Sequence, residues 1–215
     1  MSNLLDRTLE TLEQKLLRGD PLNGPIAASK PLTGDGSIAG YRDAPRGKPA
    51  AVLIPILAGA PGLSIFFTQR PETMKEHPGQ IAFPGGSQDQ GDKTLTDTAL
   101  REAKEEIGLD PGLVRIIGSL SPYQTITGYR VTPVIGLVQQ TFTPTLDARE
   151  VADAFEAPLG FFLDKANVQK HTAIYQGQPR RYYAFDYQGR FIWGATAAML
   201  INLREALLAY AGVEE

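Results

Sequence analysis

The chain has 215 residues, 42% of them hydrophobic, which suits one globular domain with a sizeable core and sets disorder aside as a default. A formal net charge of −3 supplies no basic field for nucleic acid or an anionic membrane, so neither is an expected partner. With no cysteine, disulfides, thiolate zinc and thiol nucleophiles are excluded; with only His77 and His171 a multi-histidine metal site is not expected, and any metal should be a hard cation held by oxygen.

The N-terminal residues mix leucines with charges, unlike the unbroken apolar core of a signal peptide, and no stretch is long and apolar enough to span a bilayer; a cytoplasmic protein is expected. Leu5, Leu9, Leu12 and Leu16 recur at helical spacing and predict an amphipathic helix over 3–18. Its apolar stripe covers either the body of the protein or a second subunit, so a homodimer is the macromolecular partner it offers. Glycine and proline every few residues up to 49 predict an irregular connection, dividing the chain into 1–49 and a compact domain over 50–215.

"AAVLIPILA" and "LSIFFTQR" flank "GAPG" and predict two paired antiparallel strands. A helix follows over 94–107. Further strands are expected over 113–120, 131–139, 172–176, 180–187 and 191–193, with Trp193 in the core, a short helical stretch over 150–155 and a closing helix over 195–211. Without regular βαβ alternation, these elements predict an α+β fold: a mixed sheet with helices packed on its faces.

The 94–107 helix carries the chemistry. Glu102, Glu105 and Glu106 fall at i, i+3 and i+4 and share one arc, while Leu100, Ala103 and Ile107 share another. Like charges at this spacing repel, which costs stability unless cations such as Mg²⁺ or Mn²⁺ neutralise them. The alternative is a solvated face compensated by Arg101 and Lys104. Upstream, "FPGG" predicts a tight turn whose paired glycines permit positive φ and close backbone approach, and Thr94 to Asp97 offers a capping box.

Gly86, Arg101-Glu102-Ala103, Glu105-Glu106 and Gly108-Leu109 resemble the Nudix box, although Asp92 stands where Glu is usual and eight residues rather than seven separate it from Arg101. "FFTQRPETMKEHPGQIAFPGG" is similar to the second signature of the coenzyme A pyrophosphatase branch, with Pro71 and Glu76 departing from it. "TGYRVTPVIG", "EVADAFEAPL" and "FIWGATAAML" extend the resemblance over about 50–203. It implies a Nudix-type mixed sheet sandwiched between helices (α/β/α). It also implies metal-dependent hydrolysis of coenzyme A or acyl-coenzyme A to 3′,5′-ADP and (acyl-)4′-phosphopantetheine. ADP-ribose or a nucleoside triphosphate is the alternative substrate, and a non-catalytic nucleotide-binding module the alternative role.

By the same resemblance Glu102, Glu105, Glu106 and the Gly86 carbonyl hold metal, and Arg101 orients a glutamate. The general base is a box glutamate or Glu150, for which an ordinary helix N-terminal carboxylate is the competing reading. Arg70 at a strand end is a candidate phosphate ligand or a salt-bridge partner. His77 contacts substrate or braces its loop. Tyr123, Tyr129 and Arg130 flank an adenine or pantetheine group, or anchor their own loop.

Overall fold

The computed structural model describes residues 2–18, 47–59, 62–74, 76–125, 127–175 and 177–213; residues 19–46 of the expected connection lie outside this set. Strand β1 (Lys48–Gly59) is central. It pairs antiparallel with β2 (Gly62–Gln69) up to Gly59 and Gly62, as the "GAPG" signal predicts, and parallel with β7 (Tyr129–Val138) from Lys48↔Tyr129 to Leu57↔Val138.

Around these lie β3 (Ile81–Ala82), β4 (Gly85–Ser87), β5 (Val114–Ser119), β6 (Tyr123–Gln124) and β8 (Asp153–Pro158), making one mixed sheet with the path β3-β2-β1-β7-β5. β4 adds to β1, β6 to β7 and β8 to β2. Strands β9 (Gln169–Tyr175), β10 (Gln178–Tyr187) and β11 (Arg190–Trp193) form a separate antiparallel sheet.

Alternation along β1 divides the core into two layers. Ala51 and Leu53 face helix α2 (Leu95–Ile107) together with Phe66, Val134 and Val138. Ile54 and Ile56 face the other way, toward α1 (Ser2–Arg18), α3 (Leu159–Leu163) and α4 (Gly194–Ala211), where Phe67, Phe162 and Phe185 fill the layer. The result is the α/β/α sandwich, with the small sheet joined to the α4 side through Phe185 and Ile192.

The first helix packs on its own chain. Leu12 and Leu16 are fully buried and Leu5 and Leu9 partly so. Lys15 Nζ donates to the Tyr210 carbonyl at 2.6 Å, and the Arg115 guanidinium donates to the Leu16 carbonyl, satisfying an orphan acceptor at the helix end. The stripe that offered a dimer contact is thus used within the chain. No helix among the described residues is long and apolar enough to cross a membrane.

Three local expectations are corrected. Residues 153–158 form a strand rather than continuing a helix from 150: Ala152 N–H donates to the Gln69 carbonyl at 2.8 Å, β8 pairs with β2, and Phe155 stacks on Phe67 at 5.3 Å. Trp193 is 41% exposed, because alternation in β11 gives the inward position to Ile192 and leaves the indole edge-on to Tyr182. Gly85 and Gly86 have no positive φ; they continue a strand after the bend at Pro84.

Candidate active site

Helix α2 begins and ends where local chemistry dictates. Thr94 Oγ1 accepts from Asp97 N–H at 3.1 Å while Asp97 Oδ2 accepts from Thr94 N–H at 2.8 Å, a complete capping box, and Gly108 closes the helix in the left-handed region at φ 70°. Ala99, Ala103 and Ile107 are fully buried against the sheet. This fixes the rotation of the helix and turns Glu102 and Glu106 toward β4, with Glu105 on the solvent side of the same arc.

The two glycines of β4 are required by close approach. A Cβ on Gly85 would lie 2.4 Å from the Ala51 carbonyl oxygen, and one on Gly86 would lie 2.3 Å from Oε1 of Glu102. The Glu102 carboxylate therefore occupies the space a side chain at 86 would take. Sequence reasoning named the right property, close approach, beside one the backbone does not use.

Arg101 is the hub of the group. Its Nη1 donates to Glu102 Oε1 at 2.9 Å and to Glu105 Oε2 at 3.0 Å, its Nη2 to the Ser87 carbonyl at 3.1 Å and Asp92 Oδ2 at 3.0 Å, and its Nε to Asp92 Oδ1 at 3.1 Å. Asp92 also accepts from Asp89 N–H at 3.0 Å, and these bonds hold its carboxyl well below the ordinary carboxylate range. Asp92, the residue that departs from the motif this stretch resembles, is thus the anchor of Arg101 across the longer loop.

The glutamates differ in environment. Glu106 is 5% exposed, and burial, reinforced by the charges of Glu102 and Glu150 and opposed by Arg70, pushes its carboxyl up to about 8. Burial also raises Glu102, against the pull of Arg101. Glu105 stands mostly in solvent.

Glu150 reaches this group through a loop that sequence reasoning did not see. Thr145 N–H donates to the Ile107 carbonyl and Asp147 N–H to the Glu106 carbonyl, both at 3.0 Å, so the last carbonyls of α2 seize the chain just before Glu150. Pairing between distant main-chain groups leaves no local sequence signal. Glu150 itself is an exposed turn residue, which removes the helix N-terminal reading.

Arg70 sits at the end of β2 on the α2 side, with its charge favouring ionised Glu106 and its Nε buried without a hydrogen-bond partner. His77 lies exposed in a turn at φ 56°, its carbonyl accepting from Gln80 N–H at 3.3 Å. Arg130 is exposed on β7 opposite Pro49, with no hydrogen bond or ion pair to the acidic group among the described residues. Tyr123 is 4% exposed in the α4-side core, where its ring cannot flank a ligand; it is a core residue rather than part of the group.

No three carboxylate or imidazole groups among the described residues already converge as a metal cage, since Glu102 and Glu105 both turn to Arg101. The donor set is nevertheless all oxygen, crowded with negative charge and partly desolvated. It suits a hard divalent cation and no soft one.

A NUDIX domain model matches residues 47–171. A protein of Pectobacterium atrosepticum named an uncharacterized Nudix hydrolase, NudL, is 40% identical over 156 residues, covering 72% of this chain and 80% of the relative. One of the same name from Yersinia pestis is 38% identical, covering 73% and 78%. The crystal structure of RenU, a Nudix hydrolase from M. Smegmatis, is similar in fold: TM-score 0.51 and 19% identity over 77% of this chain and 87% of that one.

Proposed function

The chain belongs to the Nudix hydrolase family, and on that premise we propose that it cleaves the diphosphate of coenzyme A or acyl-coenzyme A, giving 3′,5′-ADP and (acyl-)4′-phosphopantetheine. The catalytic domain of this reading is 50–215, working in the cytoplasm. The observation that carries it is the cluster of Glu102, Glu105 and the buried Glu106 on one helix, with the Glu102 carboxylate lying directly against Gly86.

A diphosphate resists attack because its oxygens repel a nucleophile, so cleavage requires neutralised charge and an aligned water. A bound Mg²⁺ or Mn²⁺ would supply that neutralisation and would favour ionisation of the attacking water. Glu102, Glu105, Glu106 and the Gly86 carbonyl would hold it. Arg101, fixed by Asp92, sets the direction of the Glu102 and Glu105 carboxylates. The general base of this reading would be a box glutamate or the Glu150 carboxylate, which the Asp147 contact carries toward the group. Arg70 offers its unpartnered Nε–H to a substrate phosphate oxygen.

The coenzyme A branch is supported by the stretch from Thr68 to Gly86. It runs from the Arg70 strand end directly into the Glu102 contact, with Gly79 at φ 65° packed under the Glu72 carboxylate. An intact acidic set argues against a non-catalytic module. Incubating the protein with coenzyme A, acetyl-coenzyme A, ADP-ribose and a nucleoside triphosphate, and identifying products by mass, tests the reading. Release of 4′-phosphopantetheine supports it, and exclusive cleavage of another diphosphate discards the branch while keeping the family chemistry.

A further inference from the structure

A groove of about 810 Å³ lies at the end of the sheet away from the glutamates. Ala51, beside Gly86, and Leu57, on the groove, stand about 20 Å apart along β1. Its accessible apolar lining is the partly exposed Leu9, Leu57, Ala58 and Phe142, while Leu63, Val138 and Ala157, which also line it, are buried. One wall is α1 and the rim is acidic: Asp6, Glu10 and Glu13 from the helix, Glu156 from β8. No lysine, arginine or histidine lines it among the described residues.

The three α1 carboxylates fall at i, i+4 and i+7, one line about 10 Å long down the helix. None of them is in an ion pair among the described residues, and the i, i+4 pair is mutually repulsive. An anionic ligand such as the diphosphate substrate is repelled here, so the groove is no extension of the active site.

We infer that this groove docks a basic amphipathic helix of a partner protein. Lysines or arginines at i, i+4 and i+7 of such a helix repeat with the period of the α1 carboxylates and face them over two turns. Its apolar side chains pack on Leu9, Leu57, Ala58 and Phe142 beside α1, the helix-in-groove mode of recognition. The charge sets the partner and the apolar lining supplies burial.

The test uses the full chain and a fluorescently labelled synthetic peptide carrying lysines at i, i+4 and i+7 beside a leucine face. Controls are a scrambled peptide of equal composition and one with glutamate replacing each lysine. Binding is read by fluorescence anisotropy. The patterned peptide is expected to bind at least about tenfold more tightly than the scrambled one. Glu10→Gln with Glu13→Gln, verified as folded by circular dichroism, is expected to remove that preference without altering hydrolase turnover. Equal binding of patterned and scrambled peptides, no binding, or displacement by spermidine at matched charge overturns the assignment, the last giving the groove to small polycations.

Discussion

Arg101 grips both carboxylate oxygens of Asp92, Nε to Oδ1 at 3.1 Å and Nη2 to Oδ2 at 3.0 Å, and with Nη1 it reaches two of the three glutamates. Every guanidinium N–H is engaged, and the Asp92 side chain is 6% exposed. A fixed guanidinium fixes the direction of Glu102 and Glu105. Asp92→Asn is therefore expected to lower kcat by about ten- to a hundredfold, the usual effect of removing a partner that orients a ligand. Asp89→Asn, which loses no side-chain bond to Arg101, serves as the comparison. Steady-state kinetics on both variants separates positioning from general acidity.

Gly86 and Gly91 make a matched pair. A methyl at 86 would displace the Glu102 carboxylate, whereas a methyl at 91 meets nothing within 4 Å. Gly86→Ala is expected to lose most activity and about 1–3 kcal/mol of stability through overpacking. Gly91→Ala is expected to keep full activity and to be neutral or slightly stabilising. Chemical denaturation with parallel assays checks both.

Glu106 gives a pH signature in the presence of a chelator. Its carboxyl sits near 8 in the fold against an ordinary 4.5, so between these values the unfolded chain releases a proton that the folded chain retains. Stability from this group is present below pH 4.5 and is lost as pH rises through about 8. The loss has an upper bound of about 5 kcal/mol. Urea titrations across this window should show a steeper decline for the wild type than for Glu106→Gln, and added Mg²⁺ should restore stability at neutral pH in the wild type alone.

Leu12 tests the seat of the first helix. Fully buried in the α4-side layer, it is expected to cost about 2–5 kcal/mol on substitution by alanine, while Leu17→Ala, at 46% exposure, should stay within about 0.5 kcal/mol. Thermal denaturation measures the contrast.

Elements with strong local signals were legible in the sequence. The capping box at Thr94 and the glycine at 108 bound α2, and the branched runs beside "GAPG" form the expected hairpin. The arc of glutamates is where helical periodicity puts it. What escaped was tertiary. Residues 153–158 became a strand because β2 offered an open edge and Phe67 a stacking partner. Asp92 found its role only when the loop folded back on Arg101. The Asp147 contact to the Glu106 carbonyl joins main-chain groups that any residue possesses. Tyr123 illustrates the converse: a loop-like "SPYQ" stretch placed a ring in the core through the β6–β7 pairing.

The most direct measurement is turnover of coenzyme A by the wild type and Glu106→Gln with Mg²⁺, Mn²⁺ or a chelator, followed by mass identification of both products. The wild type is expected to release 3′,5′-ADP and 4′-phosphopantetheine in pairs with metal only, and the variant to fall by about a hundredfold or more. Cleavage that persists in the chelator, or a variant as active as the wild type, would contradict the proposed metal-dependent hydrolysis.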